Sequence, residues 1–425
     1  MAPMKKTLLW LEGHHPGPTR YHPHIIHQNK AEILDTLGHW PEAISLYEGN
    51  IAAARSVGRN QDAAFNESKL CQVLMEMGHY DRALERLENA RQLMASGGDR
   101  IWGTKLLSTI GIAHWYLGDL DRAIDCFQQA LAGFEALGDR EQLANLYNNL
   151  GNAWGDKGNN DLARRCYEKN ISLCRETGSL DSLQRGLGNL GILHFLAGEY
   201  EQALMLYNEK QVICQRLGNK KSLSIAIGNI GVLESARGRF REAMDCFERK
   251  LAICQTLDDR LETTLTVGNI GTVHYRQGDH RAALERYDQA VKSLRSLGAK
   301  YHLGEFLAYA AESLLRLGRA DQAAELGREA MKLAQEMDQA EVKHRCQSLE
   351  LRIRALGDPE GARRELEALA STSTDDQLQA FIHRDLYHLS NEQTHRQAAL
   401  QMFRKLYDAA PFIEYRQAIE ELENS

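Results

Sequence analysis

The chain has 425 residues, of which 51 are basic and 58 acidic, giving a formal net charge of −7. With 43% apolar and 26% charged residues it has the balance of an ordinary globular protein, and the acidic excess excludes the concentrated basic face of a nucleic-acid module. No run of apolar residues is long enough to span a membrane, and Leu8-Leu9-Trp10-Leu11, closed by Glu12, is too short for a signal-peptide core. The expected compartment is the cytoplasm, with no nucleic acid and no membrane among the partners.

Residues 1–23 form the first segment. Leu8, Leu9 and Trp10 suit a short capping helix followed by a turn over Gly13–Pro18. The alternative is the stump of a preceding unit in a longer protein, and the residues leave both open. His14, His15, His22, His24 and His27 cluster here, with His22-x-His24-x-x-His27 spaced as a divalent-metal set is. No carboxylate or cysteine completes that set, and Pro16, Pro18 and Pro23 imply an irregular loop, so neither a metal nor a cofactor is expected.

Between Pro41 and Pro359 the chain contains no proline, which fits an unbroken run of helices with short connections. Glycine takes over the punctuation. Gly38, Gly78, Gly118, Gly158, Gly198, Gly238, Gly278 and Gly318 stand 40 residues apart. Ala43, Ala83, Ala123, Ala163, Ala203, Ala243, Ala283 and Ala323 keep step with them. An aromatic or leucine column follows at Tyr47, Leu87, Phe127, Tyr167, Tyr207, Phe247 and Tyr287, with Gly327 as the exception. A small-residue column precedes the glycines at Ala31, Cys71, Gly111, Gly151, Gly191, Gly231, Gly271 and Ala311.

Within one unit the apolar spacing is helical. Leu183, Leu187, Leu190 and Leu193 trace a first helix that stops at Gly198, and Ala203, Leu204, Tyr207, Cys214 and Leu217 trace a second that stops at Gly218. The short turn makes an antiparallel hairpin in which Gly191 and Ala203 allow close approach and Tyr207 fills the gap beside them. Each hairpin leaves an apolar face that only the next can cover. The predicted fold is therefore all-α, a right-handed α-solenoid of stacked antiparallel helix hairpins. Eight such units occupy residues 24–350. Residues 351–425 hold degenerate repeats around Gly357, Ala362, Leu366, Ala399 and Phe403, then a closing helix over Phe412–Leu422 with a charged outer side.

The columns resemble the tetratricopeptide repeat in its 40-residue variety, as in Gly228-Asn229-Ile230-Gly231 followed by Gly238 and Ala243, and are similar to Pins/LGN-type scaffolds. The motifs that follow the repeats in those scaffolds are not apparent, so their partners do not transfer. The resemblance implies a protein or peptide ligand held in a concave groove by residues of the first helices.

No enzyme motif is present: no phosphate loop, dinucleotide fingerprint, His-Glu-x-x-His or Gly-x-Ser-x-Gly. No catalytic residue is expected. Cys126, Cys166 and Cys246 share one column and Cys174, Cys214 and Cys254 another, but stacked helices roughly 8–10 Å apart exceed disulfide reach, so these read as core thiols.

Asn149, Asn189, Asn229 and Asn269 share one position in consecutive first helices. A carboxamide matches one peptide group, as donor and acceptor. The resemblance implies that this position faces the groove and holds ligand backbone. The alternative is a structural pin to a neighbouring carbonyl. Successive first helices about 10 Å apart would grip roughly every third residue of an extended peptide, for about 0.5–1.5 kcal/mol per hydrogen bond. Side-chain pockets must supply the rest. Candidates are Lys105, Asn145, Arg185, Arg276 and Arg316, with Trp115, Asn152, Phe195 and Tyr275 adding amide and aromatic surface. Arg185 and Arg276 favour an acidic ligand unless merely solvated. A carboxylate clamp of the lysine-and-asparagine type is incomplete, since Gln28, Ser68, Ser108, Asn148 and Gly188 stand where its lysine belongs.

These features predict a scaffold that binds an extended or helical partner segment. The alternative is the regulatory part of a larger bacterial signalling protein of ATPase or cyclase type, whose ends Tyr387-His388-Leu389 through Glu414-Tyr415-Arg416 resemble. A monomer is expected, with self-association through uncapped ends as the rival.

Overall fold

The computed structural model describes residues 23–36, 39–94 and 100–425. The expected cap at Leu8–Trp10, the turn Gly13–Pro18 and His14, His15 and His22 lie outside the described residues, as do the side chains of His24 and His27. Among the described residues there is no strand, and none of the helices is long and apolar enough to cross a membrane.

The 40-residue period appears as a strict alternation. First helices Asn60–Glu76, Arg100–Tyr116, Arg140–Asp156, Leu180–Leu196, Lys220–Ala236, Arg260–Arg276 and Lys300–Arg316 are each 17 residues long. Second helices Tyr80–Met94, Leu120–Leu137, Asn160–Thr177, Tyr200–Leu217, Phe240–Thr256, His280–Leu297 and Ala320–Glu336 return antiparallel to them. Local chemistry sets the boundaries. Asp119, Asp139, Asn159, Asn219, Asp259 and Asp279 cap helix starts by accepting a backbone N–H from three residues on. At the other end Gly198 takes φ +73°, letting Glu199 N–H reach His194 O at 2.8 Å and closing the helix in a single turn.

The chain divides into two compact units, residues 1–186 and 187–425. In the first, a methyl group added at Gly111 or Gly151 would lie 2.6 or 2.5 Å from the ring of Phe127 or Tyr167. In the second, the same is true of Gly191 against Tyr207 at 2.5 Å, Gly231 against Phe247 at 2.9 Å and Gly271 against Tyr287 at 2.9 Å. The small-residue column therefore exists to seat the aromatic column. Where the ring is missing, at Gly327, the facing residue is Ala311 and Leu349 moves in beside the glycine. The eight cysteines are free and, except for half-buried Cys126, buried. Burial pushes the thiols of Cys166 and Cys346 up to about 11 and about 12, as suits core residues.

Helices Pro359–Thr372, Asp376–Ser390, Gln393–Ala409 and Ile413–Asn424 complete the second unit. The last helix lays Tyr415, Ala418 and Leu422 against Ala380, Tyr387, Ala399 and Phe403, closing the end of the core. Arg416, Glu420, Glu421 and Glu423 are exposed on its charged outer side, while Phe412, Ile413, Glu414 and Gln417 touch helices far earlier in the chain.

Candidate functional site

Most of the expected site residues lie on one recurring face of the first helices, whereas Trp115, Phe195 and Tyr275, six residues past the asparagine position, lie about 120° round the helix from it. On Leu180–Leu196, Arg185, Asn189, Ile192 and Leu196 follow the i, i+4, i+7, i+11 spacing that aligns side chains along a helix. The corresponding positions are Ile225, Asn229, Val232 and Ala236 on Lys220–Ala236, and Leu265, Asn269, Thr272 and Arg276 on Arg260–Arg276. Ile192, Leu196 and Val232 are 42, 58 and 36% exposed, so the half-buried asparagines are flanked by open apolar surface. Among the described residues no hydrogen bond engages the carboxamides of Asn149, Asn229 or Asn269, which leaves the structural-pin alternative without a partner carbonyl at these three.

In the first unit the same face is polar and partly tied to itself. Arg185 is exposed and donates to Asn145 Oδ1 at 3.0 Å while facing Asp181 at 3.5 Å. Trp115 Nε1 donates to Asp156 at 2.6 Å, and Asn152 accepts from the Tyr167 hydroxyl at 2.9 Å. Lys105 is exposed. Asn152 is thus bound up with a core tyrosine, and Trp115 and Arg185 bridge neighbouring first helices.

In the second unit Phe195, Tyr275, Arg276 and Arg316 sit in the last turns of their helices. Asn189, Asn229 and Asn269 come six or seven residues earlier, about 10 Å away along each helix axis. The C-terminal segment covers the ends, not the asparagines. Phe412 packs edge-on against Phe195, with ring centres 5.7 Å apart at 89°, and against Tyr200 at 6.0 Å and 73°. Arg276 donates through Nε to Glu414 at 3.0 Å and through Nη1 to Ser235 Oγ at 2.9 Å, and its backbone carbonyl accepts from Gln417 at 2.8 Å. Arg276 is therefore not a free cation. Burial works against charge on Glu414, but the guanidiniums of Arg276 and Arg345 outweigh it and hold the carboxyl below its ordinary range.

Beside this contact lies a cavity of 430 Å³, lined by Tyr275, Arg316, Arg345, Arg384, Gln417 and Glu421 among others. Tyr275 donates its hydroxyl to buried Glu312 at 2.7 Å, Arg345 donates to the same carboxylate at 2.9 Å, and Arg345 stacks over Tyr309 with 4.2 Å to the ring centre. Arg316, exposed, borders this space. Sequence reasoning missed Tyr200, Ser235, Arg345 and the whole C-terminal contact. Tyr200 and Ser235 occupy ordinary repeat positions with nothing to mark them, whereas Phe412-x-Glu414-Tyr415 after Pro411 is a visible aromatic and acidic cluster at the start of the closing helix. Among the described residues no group of three His, Cys, Asp or Glu is placed to hold a metal ion.

Solved structures share this fold. A signal-transduction ATPase with a tetratricopeptide repeat sensor from Pyrococcus horikoshii superposes with a TM-score of 0.58 at 13% identity, over 92% of this chain and 54% of its own, so this chain spans about half of that protein. Aspartyl phosphate phosphatase F from Bacillus subtilis gives 0.56 at 15% identity, over 78% of this chain and 88% of its own. A Rap protein complexed with competence and sporulation factor gives 0.55 at 12% identity, over 79% and 92% respectively. At such identities the likeness is one of fold. No curated protein matches the sequence. Tetratricopeptide-repeat family models match residues 61–136, 142–210, 185–256, 222–296 and 261–336, and another matches 109–169. Those matches take in well over half of the chain and follow its hairpins, so the protein belongs to the tetratricopeptide repeat family.

Proposed function

We propose that this protein is a protein-interaction scaffold that holds an extended or helical segment of a partner along the asparagine-bearing faces of its first helices. One observation carries the reading: Asn229 and Asn269 keep unengaged carboxamides, and exposed Ile192, Leu196 and Val232 share the face of the asparagine column. That combination suits a peptide, whose backbone takes the amides and whose side chains take the apolar surface. The test is affinity capture from native extract with wild type and with a variant carrying N149A, N189A, N229A and N269A, after circular dichroism shows equal helicity. Prey held by wild type and lost by the variant supports the clamp. Identical prey from two folded proteins overturns it.

The second reading is a sensor portion of a larger signalling protein, favoured by the superposition on a signal-transduction ATPase that carries a tetratricopeptide repeat sensor. A reading frame that continues upstream of Met1 into a catalytic domain supports it; a native start at Met1 counts against it.

A further inference from the structure

The C-terminal segment is seated on the second unit in the way a bound peptide would be. Its backbone crosses the turn after Leu180–Leu196 so closely that a methyl group on Gly198 would lie 2.7 Å from both Ala409 O and Ala410 Cα. Ile413 lies against the next turn glycine, with its Cδ1 2.9 Å from where a Gly238 methyl would stand. The equivalent turns at Gly78, Gly118, Gly158, Gly278 and Gly318 have nothing within 4 Å. Between these turns Phe412 enters the corner made by Phe195 and Tyr200, and Glu414 meets Arg276, which Ser235 holds in place.

Three features separate this seat from ordinary closure of the core. The apolar face of the last helix is already satisfied by its own hairpin through Tyr415, Ala418 and Leu422. The opposite side is attached by few residues, centred on one aromatic ring and one ion pair whose side chains are 14 and 25% exposed. The neighbouring cavity of 430 Å³ also shows that the helix does not seal onto the first helices as a packed core would. A contact of this size and polarity is one that a competing segment can replace.

We propose that residues 409–417 are an internal stand-in for a partner segment, and that the seat formed by Phe195, Gly198, Tyr200, Ser235, Gly238 and Arg276 recognises an aromatic residue followed two positions later by a carboxylate. The partner is a protein segment with that pattern, and the chain's own C-terminus leaves the seat when it binds. The inference rests on the reading that partner segments bind the first helices, but it uses their ends and not the asparagines.

The test uses a labelled synthetic peptide of residues 408–417 and full-length protein. In the double variant F412A/E414R the internal segment loses its ring and its charge pairing, so the seat opens and the peptide binds at least about tenfold tighter than to wild type, where the competitor is covalently present. In an F412A/E414A background, where the internal segment offers no charge of either sign, R276E weakens peptide binding at least about tenfold and a peptide carrying E414R restores it. Equal affinity of wild type and F412A/E414R, or indifference to R276E, overturns the proposal. The fourfold asparagine variant keeps its peptide affinity here, so failure of the clamp and failure of the seat are read separately. If F412A/E414R loses helicity, hydrogen exchange on wild type decides: excess peptide speeds exchange at residues 413–417, and unchanged exchange overturns the idea. A wild-type dimer that F412A/E414R abolishes would assign the seat to a second copy of the chain and likewise overturn it.

Discussion

The middles and the ends of the first helices in the second unit differ in a way the repeat does not explain. At the middles, Asn229 and Asn269 recur with unengaged carboxamides beside open apolar surface. At the ends, Phe195 and Arg276 are engaged by a segment that belongs to no repeat. Stacking copies one hairpin along an axis, so it supplies both regions equally to every unit. The non-repeating tail then selects which region is occupied. A repeat array thus offers a ladder of equivalent positions, and its irregular end turns some of them into a specific contact.

The strongest way to break the comparison is to remove what holds both regions in register. Tyr207 is 1% exposed and seated on Gly191. Y207A is expected to cost about 3–5 kcal/mol in chemical denaturation and to loosen the middle and the end of Leu180–Leu196 together. Equal exchange protection of that helix in wild type and Y207A would contradict this. A finer break separates the regions. G278A and G198A place alanine at φ of +82° and +73°, but only Gly198 has the C-terminal backbone against it. G278A is expected to cost about 1–2 kcal/mol from backbone strain alone. G198A adds about 1–3 kcal/mol of overpacking and releases residues 409–417, read as faster hydrogen exchange there.

Acid should detach the ends while sparing the middles. Because Glu414 has a lowered pKa in the folded protein, its contribution is complete above the ordinary glutamate value of about 4.3 and is lost as the pH falls through the lowered one. Glu421, on the same helix, is held down to about 2 chiefly by its hydrogen bond with His388. Exchange at residues 413–417 is expected to rise on acidification in wild type. E414Q, which keeps the shape and removes the charge, is expected to lose about 1–2 kcal/mol of docking at pH 7 and this part of the pH dependence. An E414Q variant with the wild-type acid response would show that another group governs docking.

What the sequence reveals follows from how local each interaction is. The hairpin period, the turn glycines and the fit of Gly191 to Tyr207 are settled within about 20 residues. Repetition then prints them many times over, which is why the columns were legible. Phe195, Tyr275, Arg276 and Arg316 were legible as chemistry on the right helices. Their partner was not, because Arg276 and Glu414 lie 138 residues apart and meet once, with no second copy to reveal a pattern. The charged outer side of the last helix does face solvent, but Glu414 at its start turns to Arg276: amphipathicity shows which face is apolar, not what one charge at its edge meets.

The smallest expected change separates the two readings of the asparagine column. Asparagine in a helix interior is less favourable than alanine by roughly half a kcal/mol, since its side chain competes for backbone groups and loses freedom. An asparagine that pins a neighbouring carbonyl would recover that cost and more, and replacing it would destabilise by about 1 kcal/mol. Asn229 and Asn269 have no such carbonyl partner, so N229A and N269A are each expected to stabilise the protein slightly, by about 0.5 kcal/mol in urea denaturation. Gly198 and Arg276 should behave in the opposite sense, because the ends are already engaged. If N229A instead destabilises, the column serves the fold and the clamp is lost with it. A residue that costs stability and recurs at the same place in successive units is best explained by something outside the chain.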